Sequence, residues 1–139
     1  LNIMTFVPNF ISETNQSRKK IPSEILLKDA VNNMSRVALL IDSLKSGDYS
    51  YLKSATEDFI HQNIRLESFP QIKFLMGAAI EAGALGAILS GSGPTLMVFT
   101  KGKEFTIDYE LKEAARKHNL EGQITLTKIS NKGINIINE

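Results

Sequence analysis

The stretch from Gly86 to Thr100 reads GAILSGSGPTLMVFT, and the rest of the chain is best read outward from it. Two short apolar runs, Gly86 to Leu89 and Thr95 to Thr100, flank a loop in which serines and glycines alternate. Runs this short, bounded by glycine and proline, predict two buried strands joined by a glycine loop. Glycine permits positive φ and close approach of the backbone to a ligand. The loop amides, with the hydroxyls of Ser90, Ser92 and Thr95, can then converge on an anion. Ser90, Gly91, Ser92, Gly93 and Thr95 are therefore a candidate phosphate loop. It is neither common phosphate fingerprint, because no lysine follows the last glycine and a strand rather than a helix comes next. A tight hairpin whose serines satisfy their own backbone would have the same composition without binding anything.

Upstream, Leu1 to Val7 (LNIMTFV) predicts a strand that Pro8 stops, since proline has no N–H to give a ladder. Phe10 to Ile21 is polar and aperiodic and predicts a loop. A long helix is expected from Pro22-Ser23-Glu24, capped by Ser23, with Leu27, Ala30, Val31, Met34, Val37, Ala38, Ile41 and Leu44 at helical spacing and Gly47 ending it. A second helix is expected from Asp48 or Ser50 to about Asn63 with Leu52, Ala55, Phe59 and Ile60 inward. A third runs from Pro70 to Gly83 on Ile72, Leu75, Met76, Ala79 and Ile80.

Downstream of the loop, Leu111, Ala114 and Ala115 mark a short helix ending near Asn119. Gln123 to Ile129 and Ile134 to Ile137 read as strands around the turn Asn131-Lys132-Gly133. The order is β, three helices, β, β, α, β, β. That predicts an α+β fold: a ferredoxin-like, split βαβ antiparallel sheet with helices packed on one face.

With 139 residues, 42% hydrophobic and 22% charged, the chain reads as a single globular domain over residues 1–139. A net charge of +1, with Arg18 to Lys20 the densest basic cluster, leaves no footprint for nucleic acid. No apolar run approaches the roughly 20 residues of a membrane span, and the N-terminus does not resemble an export signal. The absence of cysteine excludes disulfides and thiolate metal sites and fits a cytoplasmic setting. The chain starts without methionine inside a strand-like run, which reads as a fragment or processed product.

GAILSGSGPT followed by an apolar strand resembles the third conserved motif of the GHMP small-molecule kinases, a loop bordering the nucleotide phosphates and the phosphoryl acceptor. Two flanking segments are similar to the homoserine kinase family within that superfamily: Thr14 to Arg18 (TNQSR) with Ile21-Pro22 after it, and Asp58 to Arg65 (DFIHQNIR) with Pro70 after it. The resemblance covers almost the whole chain. It departs from the family pattern at Asn63, Gln71 and Ile134, where a proline, a glycine and a small residue are common.

The resemblance implies a C-terminal, substrate-side domain of an enzyme that phosphorylates the L-homoserine hydroxyl from ATP in threonine biosynthesis. Thr14, Arg18 and Arg65 would lie at the substrate, with Arg65 on its carboxylate and Arg18 near the amino-acid and phosphate groups. It also implies that ATP and Mg2+ are held mostly by an N-terminal kinase domain, that no catalytic or metal-binding residue lies in this chain, and that the chain alone is inactive. A homodimer is expected from the apolar surface that a missing domain would leave uncovered.

Two other readings share the glycine loop: another GHMP kinase, acting on mevalonate or a sugar, and a ferredoxin-like regulatory module sensing small anions. Thr14, Arg18 and Arg65 favour the homoserine reading over these two; physically, a planar guanidinium offers paired donors to the carboxylate or phosphate of a small amino-acid substrate. Asp58, His61 and Arg65 fall at helical spacings of three and four, so Asp58 and His61 are candidate supports for Arg65. The plain alternative for these residues is a solvated arginine and a structural Asp–His pair.

Overall fold

A computed structural model of the chain describes residues 1–10, 20–130 and 132–134. Four strands, β1 (Asn2–Pro8), β2 (Gly86–Leu89), β3 (Leu96–Thr100) and β4 (Gly122–Lys128), form one sheet in the order β2-β3-β1-β4. All three pairings are antiparallel, with Met4 opposite Val98 and Leu126, and Ala87 opposite Val98. Because β3 inserts between β2 and β1, the connection from β1 to β2 crosses over a strand, which is the split βαβ arrangement expected from the element order.

Alternation along the strands sets the core. Met4, Phe6, Leu96, Val98, Ala87 and Leu89 share one face and are buried. Against them pack α4 (Pro70–Glu81), through Ile72, Leu75 and Ala79, and α5 (Glu104–Lys117), through Ile107, Leu111 and Ala115. These helical residues recur every three or four positions and are almost completely enclosed, so they supply most of the apolar burial that holds the layers together. Pro70 occupies the first turn of α4, where its missing N–H costs nothing.

Three boundaries differ from expectation. Helix α1 runs Leu27–Ser46 and closes on Gly47 in the left-handed conformation, but Ser23 does not cap it; Leu26, extended, occupies that position with no side-chain bond. The single second helix is two short ones, α2 (Leu52–Ala55) and α3 (Gln62–Leu66). Asp58 causes the break: its carboxylate collects N–H groups that a continuous helix would direct to its own carbonyls, and Phe59 turns outward. α5 is nearly four turns long rather than short, because Ile107 extends its apolar stripe toward the N-terminus. Of the last expected strand, Ile134 is exposed and outside any element, and residues 135–137 lie outside the described residues.

The apolar residues Leu27, Met34, Val37, Ile41 and Leu44 of α1 face away from the domain, and its inward side carries Asn33, Arg36, Leu39, Leu40 and Ser43. Among the described residues no helix is long and apolar enough to cross a membrane.

Candidate functional site

The glycine loop leaves β2 at Leu89 and returns into β3 at Leu96. It is closed by the N–H of Ser90 donating to the carbonyl of Thr95 at 2.8 Å and the N–H of Gly93 donating to the carbonyl of Ser90 at 3.1 Å. Gly93 has φ +81°, and a Cβ there would sit 3.2 Å from the Phe69 ring, so the position needs glycine both for its backbone and for its space. Ser90 and Gly91 are exposed, while Ser92 and Thr95 are half-buried. The loop therefore spends the N–H groups of Ser90 and Gly93 on its own closure and presents Ser90 and Gly91 on the outer side of the turn.

Helix α3 is bonded to this loop at two points. Gln62, buried, accepts the N–H of Leu89 on its Oε1 at 2.9 Å, and Arg65, also buried, donates from Nη1 to the carbonyl of Gly91 at 2.6 Å. Three residues apart, they share one face of the helix. The buried Nε of Arg65 meets no acceptor among the described residues. A buried guanidinium with a donor that meets no acceptor among the described residues, beside the serine–glycine loop, is arranged for an anion that completes its hydrogen bonds.

Asp58 holds α3 in that position. Its Oδ1 accepts from the N–H of Ile60 at 2.7 Å, the N–H of His61 at 3.2 Å and Asn33 Nδ2 at 3.1 Å. Its Oδ2 accepts from the N–H of Gln62 at 3.2 Å and lies 3.0 Å from Nδ1 of His61. Partial burial pushes the Asp58 carboxyl up, but the N–H of Ile60, Asn33, the N–H of His61 and the His61 ring together hold it below the usual carboxylate range. Asn33 Oδ1 accepts in turn from the N–H of Phe59 at 2.8 Å, and Arg36 pairs with Glu57 at 2.8 Å. Asn33 and Arg36 on the inward side of α1 thus bond the segment that leads into α3.

Of the residues predicted from sequence, the structure brings together Arg65 and the loop Ser90, Gly91, Ser92, Gly93 and Thr95, with Asp58 and His61 behind them at the start of α3. His118 is remote, stacked on Phe74 at 4.1 Å beyond α5. Thr14 and Arg18 lie outside the described residues. The ends of their segment nevertheless meet near Arg65, since Phe10 stacks on Phe69 at 5.9 Å and Lys20 Nζ donates to Ser68 Oγ. Sequence reasoning missed Gln62 and Asn33; their only signal was a polar amide at an inward helical position. Among the described residues no three His, Cys, Asp or Glu side chains stand together as a metal site.

A family model described as "GHMP kinases C terminal" matches residues 40–118, a span that includes α2 to α5 and the glycine loop. The chain belongs to the GHMP kinase C-terminal family. Its relatives within the superfamily include a homoserine kinase of Clostridium beijerinckii, 37% identical over 99% of this chain and 46% of that protein. The crystal structure of a homoserine kinase from Cytophaga hutchinsonii superposes on this GHMP domain with a TM-score of 0.86 at 25% identity, covering 92% of this chain and 41% of the other. A mevalonate kinase from L. major, at 14% identity and a TM-score of 0.65, shares the fold. The chain spans about half the length of the curated relatives it matches.

Proposed function

We propose that this GHMP domain is the acceptor side of a homoserine kinase, in which ATP phosphorylates the side-chain hydroxyl of L-homoserine. The observation that carries the reading is Arg65. A buried cation fastened to Gly91, with a donor left over, suits the carboxylate of a small amino acid lying beside the amides and hydroxyls of Ser90 to Thr95. The similarity to proteins named homoserine kinase supports the choice of amino acid.

In this scheme the domain binds, orients and neutralises charge, which is most of what phosphoryl transfer asks of a protein. Arg65 fixes the carboxylate end of homoserine and Gln62 keeps the loop at the right height. The loop amides stabilise charge near the transferring group. Arg18 and Thr14, on a segment whose two ends meet at the α3–α4 junction, complete the acceptor site. Asp58 and His61 act on the site only by holding α3. ATP and Mg2+ are held by the half of the longer relatives that this chain does not match, which leaves the isolated chain without turnover.

The test is a coupled ADP assay on the full-length protein containing this domain, offered L-homoserine, mevalonate and sugars in parallel. Turnover with homoserine at rates of about 1 to 1,000 per second, and none with the others, is expected. Preference for mevalonate or a sugar overturns the assignment within the superfamily.

A further inference from the structure

A groove of about 410 Å3 lies along the free edge of β2, with α2 and Gln62 on one side and α4 on the other. Ala87 faces it with its backbone. The N–H of Ser90 bonds the carbonyl of Thr95 opposite, so on β2 the residues bonded to β3 are Ser90 and every second one before it. The N–H and C=O of Ala87 and Leu89 therefore point away from β3. Leu89 sends its N–H to Oε1 of Gln62, whereas the N–H and C=O of Ala87 meet no partner among the described residues. Ala87 is only 6% exposed, and buried backbone groups are rarely left unpaired. Gly77 is a second, independent feature of the groove. Glycine inside a helix is destabilising relative to alanine, yet a Cβ there would meet nothing within 4 Å, so no neighbour requires it.

In an antiparallel pair one residue exchanges both its N–H and its C=O with the same residue opposite. The ammonium and carboxylate of a free α-amino acid hang on one Cα in the same way. Such a molecule pairs with Ala87 as a strand of one residue, its carboxylate on the N–H and its ammonium on the C=O. Gln62 already takes the place beside Leu89 where a longer peptide would continue, which limits the ligand to that size. The antiparallel sense sets the carboxylate toward Gly86, the end that lies against Leu52 and Thr56, next to Lys53. Arg36 neutralises Glu57, and the other charges on the rim, Lys53 and Glu81, cancel, which suits a zwitterion better than an anion. Met76 and Ile80 give its side chain an apolar wall.

We propose that this groove binds a free α-amino acid with an apolar side chain, held on the edge of β2 at Ala87 and against Gly77 of α4. The site is separate from the acceptor side and does not rest on the kinase reading. Because Gln62 lines the groove and also holds Leu89, occupancy is felt at the residue that leads into the glycine loop.

Nuclear magnetic resonance of the isotope-labelled chain, titrated with L-valine, tests this. Saturable amide shifts are expected at Gly77, Ala87 and Leu89, with half-saturation between about 0.1 and about 10 mM. N-acetyl-L-valine and L-valinamide each lack one of the two charges and should bind at least about tenfold more weakly. Gly77→Leu fills the space beside Ala87 and should weaken L-valine at least about tenfold while circular dichroism shows the fold intact. Lys53→Met, a surface change that leaves the packing alone, should weaken it about threefold. No saturable shift at Ala87 up to about 50 mM overturns the proposal. So does equal affinity for the three compounds, which would mean apolar contact alone, or wild-type binding by Gly77→Leu, which would put the amino acid elsewhere, the acceptor side included.

Discussion

At the scale of single residues, Arg65 and Gly93 divide the work between chemistry and shape. If Arg65 binds the carboxylate of homoserine, Arg65→Ala in the full-length protein containing this domain raises the homoserine KM and leaves the ATP KM nearly unchanged. Truncating one partner of a buried charge pair costs roughly 2 to 5 kcal/mol, so kcat/KM for homoserine should fall at least about thirtyfold. Arg65→Lys should recover only part of it, because one ammonium cannot hold both Gly91 and a ligand in the plane that a guanidinium spans. Wild-type steady-state kinetics in a folded Arg65→Ala enzyme would reduce the residue to a structural strut. Gly93→Ala is a stability prediction. An L-residue at φ +81° costs about 1 to 2 kcal/mol in backbone alone, and the Phe69 ring at 3.2 Å adds to it, so urea denaturation should show a loss of at least that size.

At the scale of elements, α3 is too short to be stable by itself and depends on what holds its ends. Asp58 gathers the N–H groups before its first turn, and Gln62 and Arg65 tie its inner face to the loop. Asp58→Asn keeps the shape but replaces one carboxylate oxygen by a donor, and loss of such a cap costs about 0.5 to 2 kcal/mol. The pH dependence has a definite sign. Because the folded carboxyl titrates below its ordinary value, its contribution is present above about pH 4 and is lost as pH falls through the depressed folded value. The melting temperatures of wild type and Asp58→Asn should therefore differ near neutral pH and converge in acid. A constant gap across the range would show that the carboxylate charge is not what holds α3.

At the scale of the whole molecule, a domain that matches about half of its relatives' length is expected to fold by itself and, on the proposed function, not to turn over. The sheet, α4 and α5 enclose their own core, so the isolated chain is expected to give a cooperative thermal transition. Both the acceptor-side groups in this domain and the nucleotide-binding part in the unmatched half of its relatives belong to the proposed function. The chain alone should therefore show no ATP-dependent phosphorylation of homoserine in the coupled assay; measurable turnover would mean that the domain binds ATP productively by itself.

Much of this architecture was legible in the residues. Short apolar runs bounded by glycine and proline mark the strands, and the three- and four-residue recurrence of Ile72, Leu75 and Ala79 marks α4, because both signals come from burial against one sheet face. The serine–glycine alternation marks the loop, since few other residues tolerate its backbone. Local pattern does not say against what an apolar stripe is buried, or whether it is buried at all. The recurrence in α1 is as regular as that in α4, yet only the tertiary structure shows the first facing outward and the second inward. Nor could spacing reveal that Asp58 would outbid a continuous helix for its own N–H groups, or that Gln62 would reach Leu89 across 27 positions, because both depend on partners that distant segments bring into place. Periodicity along one chain determined the elements and the loop. Which face meets which, and which buried donor is left for a ligand, was decided by packing among elements far apart in sequence.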